Sequence, residues 1–139
     1  MALKNAYSKM PINRIFDRLQ KTLAEHGAKQ ILFEYGDDGK VYGLTFIVKL
    51  KERFLPIKLP ARISNVKQCL LNQGFSYKDE QVYRIAWRNI LDWIEAQMAF
   101  IDTEQTKLEE IFLPHMTDRT GRTFFEKMKD NQFLLPDST

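Results

Sequence analysis

Between Lys49 and Lys67 six bases, Lys49, Lys51, Arg53, Lys58, Arg62 and Lys67, stand against one acid, Glu52. Apolar residues are interleaved with them in Lys49-Leu50-Lys51-Glu52-Arg53-Phe54-Leu55-Pro56-Ile57-Lys58-Leu59-Pro60-Ala61-Arg62. Cations spaced in this way can neutralise successive phosphates while Phe54 stacks on an unpaired base. The strip therefore points to nucleic-acid binding, single-stranded rather than duplex, because no helix carries a basic recognition face with Asn, Gln and Arg at its start. The same lysines also suit a solvated edge strand, where charge discourages edge-to-edge pairing.

Arg84, Arg88, Asp92, Glu95 and Asp102 recur every three or four residues, or a multiple of that, along one helix stripe. Asp92 and Glu95 could jointly face a divalent ion in a small hydrolase or nuclease, but no Glu-x-x-His pattern accompanies them. Arg88 and Asp92 at i, i+4 read more simply as an intrahelical ion pair. His115 follows Phe112-Leu113-Pro114, with Arg119 and Arg122 close behind. Neither it nor His26 has the nucleophile and positioned partner that base catalysis requires, so both are expected to face solvent or cap helices. Gly36-Asp37-Asp38-Gly39 has the wrong length and order for a phosphate loop and reads as a hairpin turn. No catalytic residue, metal site or cofactor is expected, and the chain reads as non-enzymatic.

The elements that must position these groups follow from periodicity. Pro11 opens a helix on which Ile12, Ile15, Phe16, Leu19 and Leu23 share a face, and His26-Gly27 ends it. Ala28 to Tyr35 alternates, with Ile31, Phe33 and Tyr35 together; on the return strand, Val41 to Leu50, Tyr42, Leu44, Phe46, Val48 and Leu50 share a face. Phe54 to Leu59 is a third strand, and Pro56 and Pro60 place it at a sheet edge. Ile63 to Asn72 reads as a short helix ended by Gly74, after which Ser76 or Asp79 can cap the next. Val82 to Pro114 reads as one helix of roughly thirty residues with two apolar faces. Val82, Ile85, Ala86, Ile90, Trp93 and Phe100 form one face; Trp87, Leu91, Ile94, Met98 and Ile101 form the other. Layers are therefore expected on both sides of it. A last helix carries Phe124, Phe125 and Met128, and Phe133-Leu134-Leu135-Pro136 is a candidate docking tail. The expected fold class is α+β: N-terminal helix, three-stranded antiparallel meander, short helix, long central helix and C-terminal short helix, with two or three layers.

At 139 residues the chain has the size of one domain, with residues 1–10 and 131–139 as candidate tails. Apolar residues at 44% and charged residues at 28% exclude disorder and membrane classes. Cys69 is the only cysteine, which rules out an intramolecular disulfide and suits a reducing compartment. The N-terminus lacks a signal-type apolar run, and no run reaches the ~18 residues of a spanning helix, so a cytoplasmic location without membrane contact is expected. The net charge of +3 is uneven, since Lys78 to Phe112 holds four bases against eight acids. Attraction between a basic strip and an acidic helix, with two apolar faces to cover, favours a homodimer through the long helix.

The stretch from Ala86 to Ala99 (AWRNILDWIEAQMA), with Glu110-Ile111-Phe112-Leu113-Pro114-His115 and Gly121-Arg122-Thr123-Phe124-Phe125-Glu126, resembles a group of small uncharacterised phage and prophage (mobile-element) proteins. The similarity runs from about Ala28 to Lys129. It implies a mobile-element setting, and with it DNA replication, recombination or interference with host defence, but no catalytic residues. A meander followed by a long helix is also similar in topology to the core of phage single-strand annealing proteins. The leading expectation is thus a non-enzymatic mobile-element protein that binds nucleic acid through the basic strip. The alternative is a dimeric interaction module acting on a host or phage protein complex.

Overall fold

A computed structural model describes residues 1–131 of the chain. In chain order the elements are α1 (Ile12–Glu25), β1 (Ala28–Tyr35), β2 (Val41–Leu50), β3 (Arg53–Pro60), α2 (Ile63–Asn72), α3 (Asp79–Asp102), α4 (Leu108–Phe112), a 3₁₀ turn (Leu113–His115) and α5 (Phe124–Asp130). This is the expected α+β order. The strands form one antiparallel sheet, β1-β2-β3, so β3 is an edge. The Phe133 to Pro136 tail lies outside the described residues.

One face of the sheet carries the core. Leu44, Phe46 and Val48 from β2 and Ile57 and Leu59 from β3 pack with Ile15, Leu19 and Leu23 of α1 and Trp87, Leu91, Ile94 and Met98 of α3. The helix stripe read as Trp87 to Ile101 is thus the one that meets the sheet. The other stripe is covered only over its first half: Val82 and Ile85 form a second cluster with Leu70 of α2 and Ala6. The first ten residues, expected as a tail, lie against α3, where Asn5 donates to Asn89 (2.7 Å) and Asp92 (2.8 Å). Farther along, Trp93 and Phe100 remain partly exposed.

Two local readings are corrected. Register shifts between Glu34 and Tyr35, which pair with Gly43 and Val41, so Tyr42 is an extra residue on β2. A bulge of this kind reverses the side-chain alternation. Val41 is therefore buried and Tyr42 turns outward, away from the Leu44 face to which period two assigned it; Tyr35, expected with Ile31 and Phe33, is exposed too. The helix then supplies what the disturbed ladder lacks: Tyr83 Oη accepts from the Val41 N–H (2.9 Å) and Trp87 Nε1 donates to its carbonyl (3.2 Å).

The long helix is the second correction. Instead of running to Pro114 it stops at Asp102, and Asp79 sits inside its first turn rather than capping it. Its end is a Schellman arrangement, with the Glu104 N–H donating to the Ile101 carbonyl (3.1 Å) and the Gln105 N–H to that of Phe100 (3.0 Å). Thr103 Oγ1 also bonds back to the Ala99 carbonyl at 2.9 Å. The chain can then fold back, so that Phe112 is buried edge-on against Phe46 and Trp93. Hydrophobic spacing continues across this break because both segments feed one core.

The break places Glu104 at φ +58. A left-handed backbone costs a non-glycine residue about 1–2 kcal/mol, of which glycine's greater freedom in the unfolded chain returns part. Glu104→Gly is accordingly expected to stabilise the fold by roughly 0.5–1 kcal/mol. The check is a higher urea midpoint at unchanged m-value; a lower midpoint would contradict the strain argument.

Candidate nucleic-acid interface

The basic strip is divided by the fold. Lys49, Lys51, Arg53 and Phe54 cluster at the β2–β3 turn, where the Lys49 ammonium lies 5.8 Å from the Phe54 ring centre. Lys58 is four residues farther along β3, roughly 13 Å at strand rise. It and Arg62 line a groove of about 1030 Å³ bounded by β3, α2, α3, the 3₁₀ turn and α5. Lys67 is held elsewhere, 2.9 Å from the carboxylate of Asp79. Phe54 therefore does not accompany Lys58 and Arg62, as the linear spacing suggested; strand geometry keeps them apart.

The groove brings in residues from segments far apart in the chain. Lys129 supplies a third cation, Trp93 and Ile90 an apolar floor, and Asn65 and Asn89 side-chain amides. Trp93 is 36% exposed and stands edge-on to both Phe112 and His115, with ring centres 5.7 Å apart in each case. Burial lowers the pKa of His115, so the imidazole stays neutral near neutral pH and adds no charge. Its ring packs edge-on against Trp93. The groove's carboxylate, Glu126, is committed to capping α5: it accepts from the Thr123 N–H (3.1 Å), while the Glu126 N–H donates to Thr123 Oγ1. These bonds hold its pKa below the ordinary value. Lys58, Arg62 and Lys129 form no ion pair among the described residues, leaving three cations against one engaged carboxylate.

A smaller groove of about 470 Å³ adjoins this one and shares Arg62 and Asn65 with it. Lys40 and Lys67 line it, opposed by Asp38 and Asp79. The start of α2 thus lies between two concavities, with Arg62 common to both. Placement of α5 depends on Asp118, which accepts from the Thr120 N–H (2.8 Å) and pairs with Lys127 (2.6 Å). Lys127 above all keeps its carboxyl far below the usual range.

The polar stripe of α3 is structural. Glu95 takes both its oxygens to Arg18 of α1, at 2.7 and 2.6 Å. Asp92 pairs with Arg88 (3.1 Å) and receives Asn5. Arg84 bonds Gln81, whose amide donates to the Ser8 carbonyl. Among the described residues no group of three or more His, Cys, Asp or Glu could hold a metal. Asp92 and Glu95 thus clamp the N-terminal lead and α1 onto α3.

Asp102 makes the remaining contact of the stripe, with His26. The imidazole lies 2.8 Å from the Thr22 carbonyl through Nδ1 and 3.0 Å from Asp102 through Nε2, joining the C-terminal ends of α1 and α3. The Asp102 bond raises the His26 pKa above 6.5. A raised histidine contributes stability that is fully present below its unfolded pKa and is lost as pH rises through the folded one. Asp102→Asn should therefore lower the melting temperature measurably near pH ~5.5 and progressively less toward pH ~8.5. A pH-independent difference would sink this assignment.

Trp93 and Lys129 escaped the sequence reading. Trp93 was assigned to an apolar helix face, and what could have marked it is its place beyond the reach of α2, where that face has nothing to cover it. No family model, curated protein or solved structure matches the chain. Among the described residues no helix is long and apolar enough to cross a membrane.

Proposed function

We propose that the protein is a non-enzymatic single-strand nucleic-acid binder whose site is the groove around Trp93. One observation carries the reading: Lys58 and Arg62, in no ion pair among the described residues, are joined there by Lys129 and by a partly exposed indole, three cations against the single carboxylate of Glu126. Such a combination takes phosphates by charge and bases by their π-faces without reading sequence. The Asn65 and Asn89 amides add hydrogen-bonding capacity toward base edges. A duplex suits the site less, because a concave groove with an aromatic floor accepts a strand whose bases are splayed out. The phage and prophage resemblance supports a role in recombination or replication of a mobile element.

The test is fluorescence anisotropy of nuclease-treated protein with labelled single-stranded and duplex DNA at two salt concentrations. The expected result is tighter binding to the single strand, with log affinity falling by about 0.7 per phosphate contact for each unit of log salt. Equal affinity for both DNA forms would remove the single-strand preference. No binding to either at low salt would discard the reading and leave a host or phage protein as the partner to seek.

A further inference from the structure

The two edges of the sheet are treated differently. On β3, Pro56 and Pro60 remove donors, the Pro56 carbonyl accepts from the Thr117 N–H (3.0 Å), and Ile57 bridges to Met116. Proline and a covering segment are the usual means of blunting an edge. β1 has neither: no proline lies in its eight residues, and among the described residues no segment pairs with its outer side.

Which backbone groups β1 offers follows from ladder alternation. The Tyr42 carbonyl accepts from the Ala61 N–H at the β3 side of β2. Alternate residues Gly43, Thr45 and Ile47 then bond toward β1, where they face Glu34, Leu32 and Gln30. The N–H and C=O groups of Ile31 and Phe33 consequently point out of the sheet. Leu32, on the helix-free face, is 52% exposed.

We infer that β1 pairs antiparallel with β1 of a second copy of this chain, centred on Leu32, to give a six-stranded sheet. This register is self-complementary. Ile31 of each copy exchanges both hydrogen bonds with Phe33 of the other, using the outward groups of both. Leu32 meets Leu32 across the two-fold axis, where antiparallel side chains approach most closely. Glu34 meets the Gln30 amide instead of another carboxylate. Centring on Phe33 sets Glu34 against Leu32, and centring on Ile31 sets Glu34 against Ala28, so neither adds a polar partner across the axis to the Thr45 hydroxyl that already donates to the acid (3.1 Å) within the chain. The axis lies at the sheet edge opposite Lys58 and Arg62, so both grooves stay open and the inference stands apart from the nucleic-acid reading. It also moves the interface from the long helix, where sequence placed it, to a strand.

The test is the mass of the full chain in solution by analytical ultracentrifugation across a dilution series. The expected mass is twice 16.4 kDa at high concentration. Leu32→Lys, which sets two ammonium groups face to face, should return the single-chain mass, with the melting curve matching that of the native chain at dilutions where it is a single chain. In a Cys69→Ser background, Leu32→Cys should cross-link on mild oxidation, since opposed Cα atoms in such a pair lie about 4.5 Å apart. Gln30→Cys should not, because its own copy lies roughly 13 Å away along the strand. A single-chain mass at every concentration would overturn the inference. So would a dimer indifferent to Leu32→Lys, or one in which Gln30→Cys cross-links as readily as Leu32→Cys.

Discussion

Lys58→Glu combined with Arg62→Glu is expected to weaken single-strand binding on the order of 50-fold at about 50 mM salt, with the salt slope shallower by about 1.4. Each lost phosphate contact forfeits the counterion release that drives binding, and the loss is the same for every sequence. Lys58 and Arg62 make no ion pair among the described residues, but reversing Lys58 sets a carboxylate near the α5-capping Glu126, so an unchanged circular dichroism spectrum is the required control. The companion change at Lys49 and Lys51, at the far end of β3, separates the groove from the turn. If that pair, and not Lys58 with Arg62, governs affinity, the site is the β2–β3 turn with Phe54. Trp93→Ala should reduce affinity with a slope close to the native one, because stacking, worth about 1–3 kcal/mol per base, releases no counterions. Parallel loss in salt slope and in stacking would mean that the groove had collapsed, which circular dichroism would reveal.

Trp87→Ala should have the largest effect on stability. The indole is wholly buried between Phe16 and the sheet, and its N–H is the donor to the Val41 carbonyl. Removing a buried Trp costs about 3–5 kcal/mol, and an unpaired buried carbonyl adds to that. Against a total of roughly 5–15 kcal/mol, the variant is expected to melt more than about 10 °C lower or to be recovered unfolded. Tyr83→Phe isolates the hydrogen-bonding part: it keeps the ring and leaves the Val41 N–H without its acceptor, at about 1–3 kcal/mol. A Trp87→Ala protein with native melting would refute the view that α3 completes the bulged ladder at Val41. Trp93→Ala serves as the contrast, as a partly exposed side chain should cost much less.

Those two tryptophans show how far one sequence carries an argument. Their separation by six residues puts them on different helix faces, and that much is fixed by 3.6 residues per turn. That Trp87 faces the sheet while Trp93 floors a groove is decided by what α2 and the Leu113–His115 turn cover. The helix break at Thr103 was illegible for a related reason. Leu108, Ile111 and Phe112 feed the same core as α3, and periodicity reports the core, not the turn between. Tyr42 was misplaced because period two assumes an unbroken ladder, and a bulge leaves no compositional mark.

The sequence by itself determined the element order, the apolar faces of the helices and the edge position of β3, since each depends on residues a few places apart and on local dihedral rules. It also determined that cations concentrate between Lys49 and Lys67. Only the tertiary structure decided which of them act together. Lys58 and Arg62 meet Trp93 and Lys129, thirty to seventy residues away, because packing α2, α3 and α5 around β3 fixes distances that no local spacing encodes. Lys67, by contrast, falls to Asp79. Charge along a chain is additive, but a site is a matter of which charges share a concavity and which are already neutralised.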